Sequence, residues 1–222
     1  MPGHAGLDVS DYPGNPRMAW MKQNTNLQWT GFYLGPTPSH SGTSWMNRRA
    51  ALLALGWGFA PLYVGQQVTG PGSHNTTGPQ GTTDGQHACN LMQSAGFPAG
   101  SFVYLDLENG APFTTAQHHY VGNWVDAVIA GGYGPGVYCS YTFAAEVHIL
   151  RSTARIWAFK VSTTAPHPVP GHNYPDPHPA GCGYAGAYAW QLGQNCIIDV
   201  PGANHGKLGV DLDSAVSTDP SS

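Results

Sequence analysis

Eight short apolar runs recur along the chain, separated by polar stretches rich in glycine and proline. Residues 6–10, 29–35, 58–65, 101–107, 134–141, 154–161, 186–193 and 207–213 are dense in aliphatic and aromatic residues and read as strands. Between the early runs the spacing becomes helical. Trp45, Ala51, Leu52 and Leu55 fall on one face of a helix over 45–55, and Gly56 follows as a stop. Thr83 and Asp84 are placed to cap a helix that reaches Ser94, with Gly96 at its end. Thr114 and Thr115 precede another that runs to about Ala130 and closes on Gly131 and Gly132, and residues 143–151 form a shorter one.

Strand alternating with helix predicts an α/β protein with a parallel sheet. Eight strands suit a closed (β/α)8 TIM-like barrel. An open doubly wound sheet would alternate too, but no glycine-rich nucleotide loop follows the first strand. The expected barrel is irregular in its C-terminal third, because residues 163–185 hold too much Pro and Gly for a helix and 193–206 lack a pattern. A length of 222 residues fits one domain, 1–222, with a core over about 5–216. In such a barrel the loops after the strands build the active site.

Charge narrows the partners. Lys and Arg number 8 against 12 Asp and Glu, for a net charge of −4, which argues against nucleic acid or an anionic membrane as the main partner, since both normally require a basic patch. No apolar run approaches the ~18 residues of a membrane span.

With so few acids, their positions are informative. The strand SFVYLDLENG ends in Asp106 and Glu108, one residue apart. Side chains alternate along a strand, so the two share a face with Cα atoms about 6.6 Å apart. Carboxylates that close do not both ionise freely, and one should keep its proton to a higher pH than a free acid. Glycoside hydrolysis uses such a pair, one acid to protonate the leaving oxygen and one carboxylate as base, nucleophile or electrostatic partner. Asp8 and Ser10 lie on one face of the first strand, and Asp211 and Asp213 on one face of the last. Acids beside apolar β-type residues at three distant places converge most simply on one polar pocket.

In their order, Asp8-Val9-Ser10, Asp106-x-Glu108, Ala189-Trp190-Gln191 and Val210-Asp211-Leu212-Asp213 resemble the glycoside hydrolase family 25 muramidases. The middle of the chain (GFYLG, PLYVGQQ, Asp84-Gly85 at a helix start, GVYCSY) is more similar to a related bacterial glycoside-hydrolase-like domain of unknown function. The resemblance spans roughly residues 5–216. It implies a modified β/α barrel that cleaves the β-1,4 bond between N-acetylmuramic acid and N-acetylglucosamine in peptidoglycan. Glu108 would be the general acid. Asp106 would raise its pKa, stabilise positive charge and orient the substrate's N-acetyl group, and Asp8 and Asp211 would complete an acidic floor. Asp213 stands where that family usually has an Asn-like residue. A catalytically silent glycan-binding module on the same barrel, or a glycosidase of another polysaccharide, are the alternatives.

Aromatic and amide residues near the strand ends, Tyr33, Tyr63, Tyr141, Trp190, Gln66 and Gln191, are the candidate sugar contacts, with barrel-core packing as the competing explanation for the aromatics. No cofactor and no metal are expected. His167, His172 and His178 share a Pro-rich loop with Asp176 and Cys182, and His118-His119 form a pair, but no HExxH or paired CxxC occurs. Cys182 and Cys196 flank a strand and are candidates to bridge its ends, whereas Cys89 and Cys139 read as buried thiols. The N-terminus MPGHAGLDVS lacks a basic start and an apolar core. That pattern suits a protein made in the cytoplasm without a signal peptide, and a monomer is expected. Such a protein would act on the envelope after phage lysis or non-classical export, with an immunity or delivery protein as a further partner.

Overall fold

The computed structural model describes residues 2–108, 112–163, 167–168, 173–201 and 206–222, with the backbone alone for 162, 163, 167 and 168. In chain order the elements are β1 (His4–Asp8), α1 (Asn15–Asn24), β2 (Trp29–Tyr33), α2 (Arg49–Ala54), β3 (Gly58–Val64), α3 (Gly78–Ser94), β4 (Phe102–Asp106) and α4 (Thr115–Ala130). Then follow β5 (Gly134–Ser140), α5 (Ala144–Leu150), β6 (Arg155–Thr163), β7 (His167–Pro168), a 3-10 turn (Pro179–Cys182), β8 (Ala187–Val200) and β9 (Gly206–Ala215). Strands β1 to β6 pair in sequence order and in parallel, and β8 joins β6 in parallel. β9 runs antiparallel between β8 and β1 and closes an eight-stranded mixed barrel. The α/β TIM-like barrel is as the alternation predicts. No helix among the described residues is long and apolar enough to cross a membrane.

The departures lie mostly in the last third. β8 does not stop at 193 but continues to Val200 and pairs along its length with β9, so much of the expected irregular 193–206 is a hairpin. The final strand is consequently antiparallel, which its composition does not encode. α1 escapes the spacing argument because only Met18 and Met21 of its 10 residues are buried. α3 begins at Gly78, not Asp84. Asp84 is a buried acceptor within it, bonded by Tyr120 Oη (2.8 Å), Gln66 Nε2 (3.1 Å) and Gln80 Nε2 (2.7 Å). Thr114 caps α4 as expected, its Oγ1 accepting from the Gln117 amide while Gln117 Oε1 accepts from the Thr114 amide. All four cysteines are buried thiols, Cys182 in the 3-10 turn and Cys196 within β8 opposite Val210, and Cys182 and Cys196 are not joined.

Strand alternation sorts the core into two layers. Leu7, Phe32, Phe59, Val103, Leu105, Val137 and Leu212 face out toward the helices. Trp29, Ala60, Leu62, Tyr104, Tyr138, Trp157, Ala189 and Ala215 fill the interior. Trp157 sits amid edge-on contacts to Trp29, Tyr104 and Tyr138, with ring centroids 5.3–5.7 Å away. The lower barrel is thus a packed core, not a channel. Glycine makes it fit: a Cβ at Gly6 would lie 2.2 Å from the Trp29 ring, and one at Gly31 would lie 2.6 Å from Asp8 Cβ.

Candidate active site

Above the packed aromatics the interior face turns acidic. On β1 the inward positions are Gly6 and Asp8. On β4 they are Phe102, Tyr104 and Asp106, with Glu108 one pleat further. On β9 they are Asp211, Asp213 and Ala215. Register brings the acids together across the β1–β9 seam, Asp8 directly opposite Asp211 and Gly6 opposite Asp213. Asp213 lies deep in the barrel, fully buried. Asp8, Tyr33, Leu62, Asp106, Glu108, Tyr138, Trp157, Gln191 and Asp211 line a cavity of about 30 Å3, room for a water or two. A groove of about 300 Å3 shares Asp8, Tyr33 and Asp211 with it and continues outward past Val9, Ser10 and Asn195.

Hydrogen bonds fix the floor. Tyr33 Oη donates to Asp8 Oδ1 at 2.6 Å. Gln191 Nε2 donates to Asp211 Oδ2 at 2.6 Å and reaches Asp8 Oδ2 at 3.4 Å, while its Oε1 accepts from Tyr138 Oη at 2.5 Å. The Asn195 amide donates to Asp211 Oδ1 at 2.7 Å from a left-handed backbone (φ 55°), a conformation Asn tolerates better than most residues. Trp157 Nε1 donates to Asp213 Oδ1 at 3.2 Å. Asp106 Oδ1 and Asp213 Oδ2 are buried without a hydrogen-bond partner.

The charges acting on these buried acids all come from other carboxylates. Burial, then the charge of Asp211, pushes Asp8 from 3.8 to about 7, against the Tyr33 hydrogen bond and the neighbouring Asp213 carboxyl, which favour its ionised form. Burial, then Glu108 and Asp8, holds Asp106 well above the usual carboxylate range. Asp213 is raised well above it by burial, Asp8 and Asp211. Asp211 is raised by burial and Glu108, although the Asn195 amide and Gln191 pull it back. At neutral pH the cluster therefore keeps protons. Of the Asp106–Glu108 pair, Asp106 is the member that burial holds protonated, while Glu108 stands exposed at the lip.

Six candidate residues line the cavity: Asp8, Asp106, Glu108, Asp211, Tyr33 and Gln191. Tyr63 does not. It is fully buried against the helices, its ring 6.2 Å from Trp124 and its hydroxyl 3.1 Å from His87 Nδ1. Gln66 is tied to Asp84 and to the Asn75 amide. Trp190 points out of the barrel, since its neighbours Ala189 and Gln191 point in, and its Nε1 donates to the Lys160 carbonyl at 2.9 Å. Tyr141 is partly exposed just past β5, beneath the Lys160 ammonium (4.7 Å). Sequence reasoning passed over Tyr138 and Trp157, which occupy the inward face of their strands, and Gln67, whose side chain bonds the backbone on both sides of Leu107.

Other places carry less chemistry. A wider groove of about 910 Å3 runs between α3 and α4, but its one acid, Asp126, is held by Arg151 through contacts of 2.8 and 2.6 Å. No cluster of three or more His, Cys, Asp and Glu among the described residues is arranged to hold a metal. His172 and the His167 side chain lie outside the described residues. His118 pairs with Glu146 at 2.5 Å.

The profile of a family described as Rv2525c-like, glycoside hydrolase-like domain, matches residues 19–203. No curated protein matches the chain. Among solved structures, an uncharacterized protein of B. stearothermophilus superposes with a TM-score of 0.67 at 18% identity, over 96% of each chain. A family 25 glycosyl hydrolase from Bacillus anthracis follows with a TM-score of 0.59 at 12% identity, over 97% of this chain and 90% of that one. The lysozyme from Streptomyces coelicolor gives 0.59 at 13%, over 97% and 93%. At these identities the likeness is one of fold.

Proposed function

The chain belongs to the Rv2525c-like, glycoside hydrolase-like family, and from that premise we propose that it is a peptidoglycan-cleaving glycosidase of the muramidase type. The observation that carries the reading is the convergence of Asp8, Asp106, Glu108 and Asp211 on one cavity at the C-terminal end of the parallel strands. Glu108, the exposed acid, hands to the glycosidic oxygen a proton that it draws from the buried, protonated Asp106 on the same strand face, as the C–O bond breaks. Positive charge developing at the sugar's anomeric carbon faces Asp8, Asp106 and Asp211. Water completes the cleavage and its proton returns to a carboxylate. The sugar lies in the outer groove, because the cavity over the acids holds only a water or two. The cell envelope is the proposed place of action.

One observation favours a second reading. The floor is occupied by the chain's own groups, with Tyr33 on Asp8 and Gln191 and Asn195 on Asp211, as suits a binding module without turnover. Incubation with purified peptidoglycan, followed by reducing-end assay and mass spectrometry of the products, separates the two. Fragments ending in reducing N-acetylmuramic acid are the expected result. Saturable binding without new reducing ends would replace the glycosidase by the module.

Orientation gives a further expectation. Tyr63 and Trp190 face away from the cavity, so Tyr63→Phe and Trp190→Phe each leave KM on soluble glycan fragments within about twofold, a change worth under ~0.5 kcal/mol. A tenfold rise for either would return that side chain to a sugar subsite.

A further inference from the structure

We propose that Gln67 is a positioning residue that holds Glu108 over the acid cavity, its side-chain amide continuing the strand pairing that β3 abandons. What Glu108 does there rests on the glycosidase reading above.

The β3–β4 ladder ends at Val64 opposite Asp106. Gly65 then turns the chain aside, in a space where a Cβ would lie 2.5 Å from Tyr120 Oη. Two residues later the Gln67 side chain comes back to the edge of β4. Its Nε2 donates to the Asp106 carbonyl at 3.0 Å and its Oε1 accepts from the Glu108 amide at 3.0 Å. In a parallel ladder a residue bonds the carbonyl before its partner and the amide after it. Gln67 makes that pair of bonds around Leu107 with a side chain. On the opposite edge the Leu107 amide donates to the Tyr138 carbonyl at 3.1 Å, so β5 holds Leu107, whereas the Glu108 amide is held by Gln67.

Gln67 is itself fixed. It is buried, its amide donates to the Ser73 carbonyl at 2.8 Å, and its carbonyl lies 2.9 Å from His74 Nδ1, which donates there. The Ser73 amide in turn donates to Ser39 Oγ at 3.2 Å. The neighbouring Gln66 secures the same loop to Asp84. An exposed acid on the last pleat of a strand would otherwise swing with its backbone, and a misplacement of about 1 Å is enough to cost a catalytic group on the order of a hundredfold in rate.

The test compares Gln67→Leu and Gln67→Glu with the parent chain, on soluble peptidoglycan fragments and by amide hydrogen exchange. Gln67→Leu lowers kcat at least tenfold with KM within twofold. It also speeds exchange at the Glu108 amide about a hundredfold, while the Leu107 amide exchanges as before. Gln67→Glu keeps an acceptor for the Glu108 amide, and only while its own carboxyl is protonated does it keep the donor that the Asp106 carbonyl accepts. It therefore protects the Glu108 amide at low pH and loses that protection as its carboxyl ionises against the Asp106 carbonyl. Parental kcat with parental exchange at Glu108 in Gln67→Leu overturns the proposal. If Gln67→Leu does not fold, a protection factor at the Glu108 amide that stays at the parental value at every pH in Gln67→Glu overturns it. If the parent releases no reducing ends, the glycosidase reading fails, and the exchange measurement alone decides whether Gln67 clamps Glu108.

Discussion

Glu108→Gln cuts the release of reducing ends about a thousandfold, the middle of the range for losing a general acid, and leaves the urea midpoint unchanged or slightly higher. The amide is isosteric with the acid but has no proton to give to a leaving oxygen. Glu108 is exposed and bonded through its backbone to Gln67, so the substitution removes no buried contact. It does remove a negative charge that acts on Asp8, Asp106 and Asp211. Each of those acids then ionises more easily, and the cluster is relieved near neutral pH. Loss of turnover with an unharmed fold is the signature of chemistry rather than scaffolding. Turnover within tenfold of the parent would instead move the proton donor off Glu108 and sink the assignment.

The acids were legible in the sequence because period-two spacing is independent of context. Asp106 and Glu108 share a face whichever way the strand points, as do Asp211 and Asp213. What spacing cannot supply is which face. Both sides of a barrel strand are apolar, so a strand such as GFAPLYV gives no sign that Leu62 turns in and Tyr63 turns out. Trp190 and Gln191 could not both face the cavity, being adjacent in a strand, and the closed β1–β9 seam selects Gln191. Gln66 and Gln67 exchanged roles for a different reason. They follow a strand, where loop geometry and not alternation aims the side chain. The direction of β9 was hidden because pairing, not composition, decides it. That direction is what sets Asp211 across from Asp8 and sinks Asp213 beneath it.

The depth of Asp213 leads to the other large effect: stability of the fold rises as pH falls from 8 to 5. Asp8 has a folded pKa of about 7 against 3.8 for an ordinary aspartate. A raised folded pKa stabilises fully below the unfolded value and loses that contribution as pH climbs through the folded one. The stability of one such group therefore falls on the order of 3 kcal/mol from pH 5 to 8. Asp106 and Asp213, also raised, act in the same direction. Asp213→Asn separates this effect from packing. The amide keeps an oxygen for Trp157 Nε1, now met by Asp213 Oδ1 at 3.2 Å, and turns an N–H toward Asp8 with no proton to lose. At pH 8 the variant is more stable than the parent, with a higher Tm and urea midpoint, and at pH 5 it matches the parent. Urea or thermal unfolding at the two pH values reads both arms. An equal change at pH 5 and pH 8 would place the effect of Asp213 in packing and leave the ionisation of the cluster with no part in it.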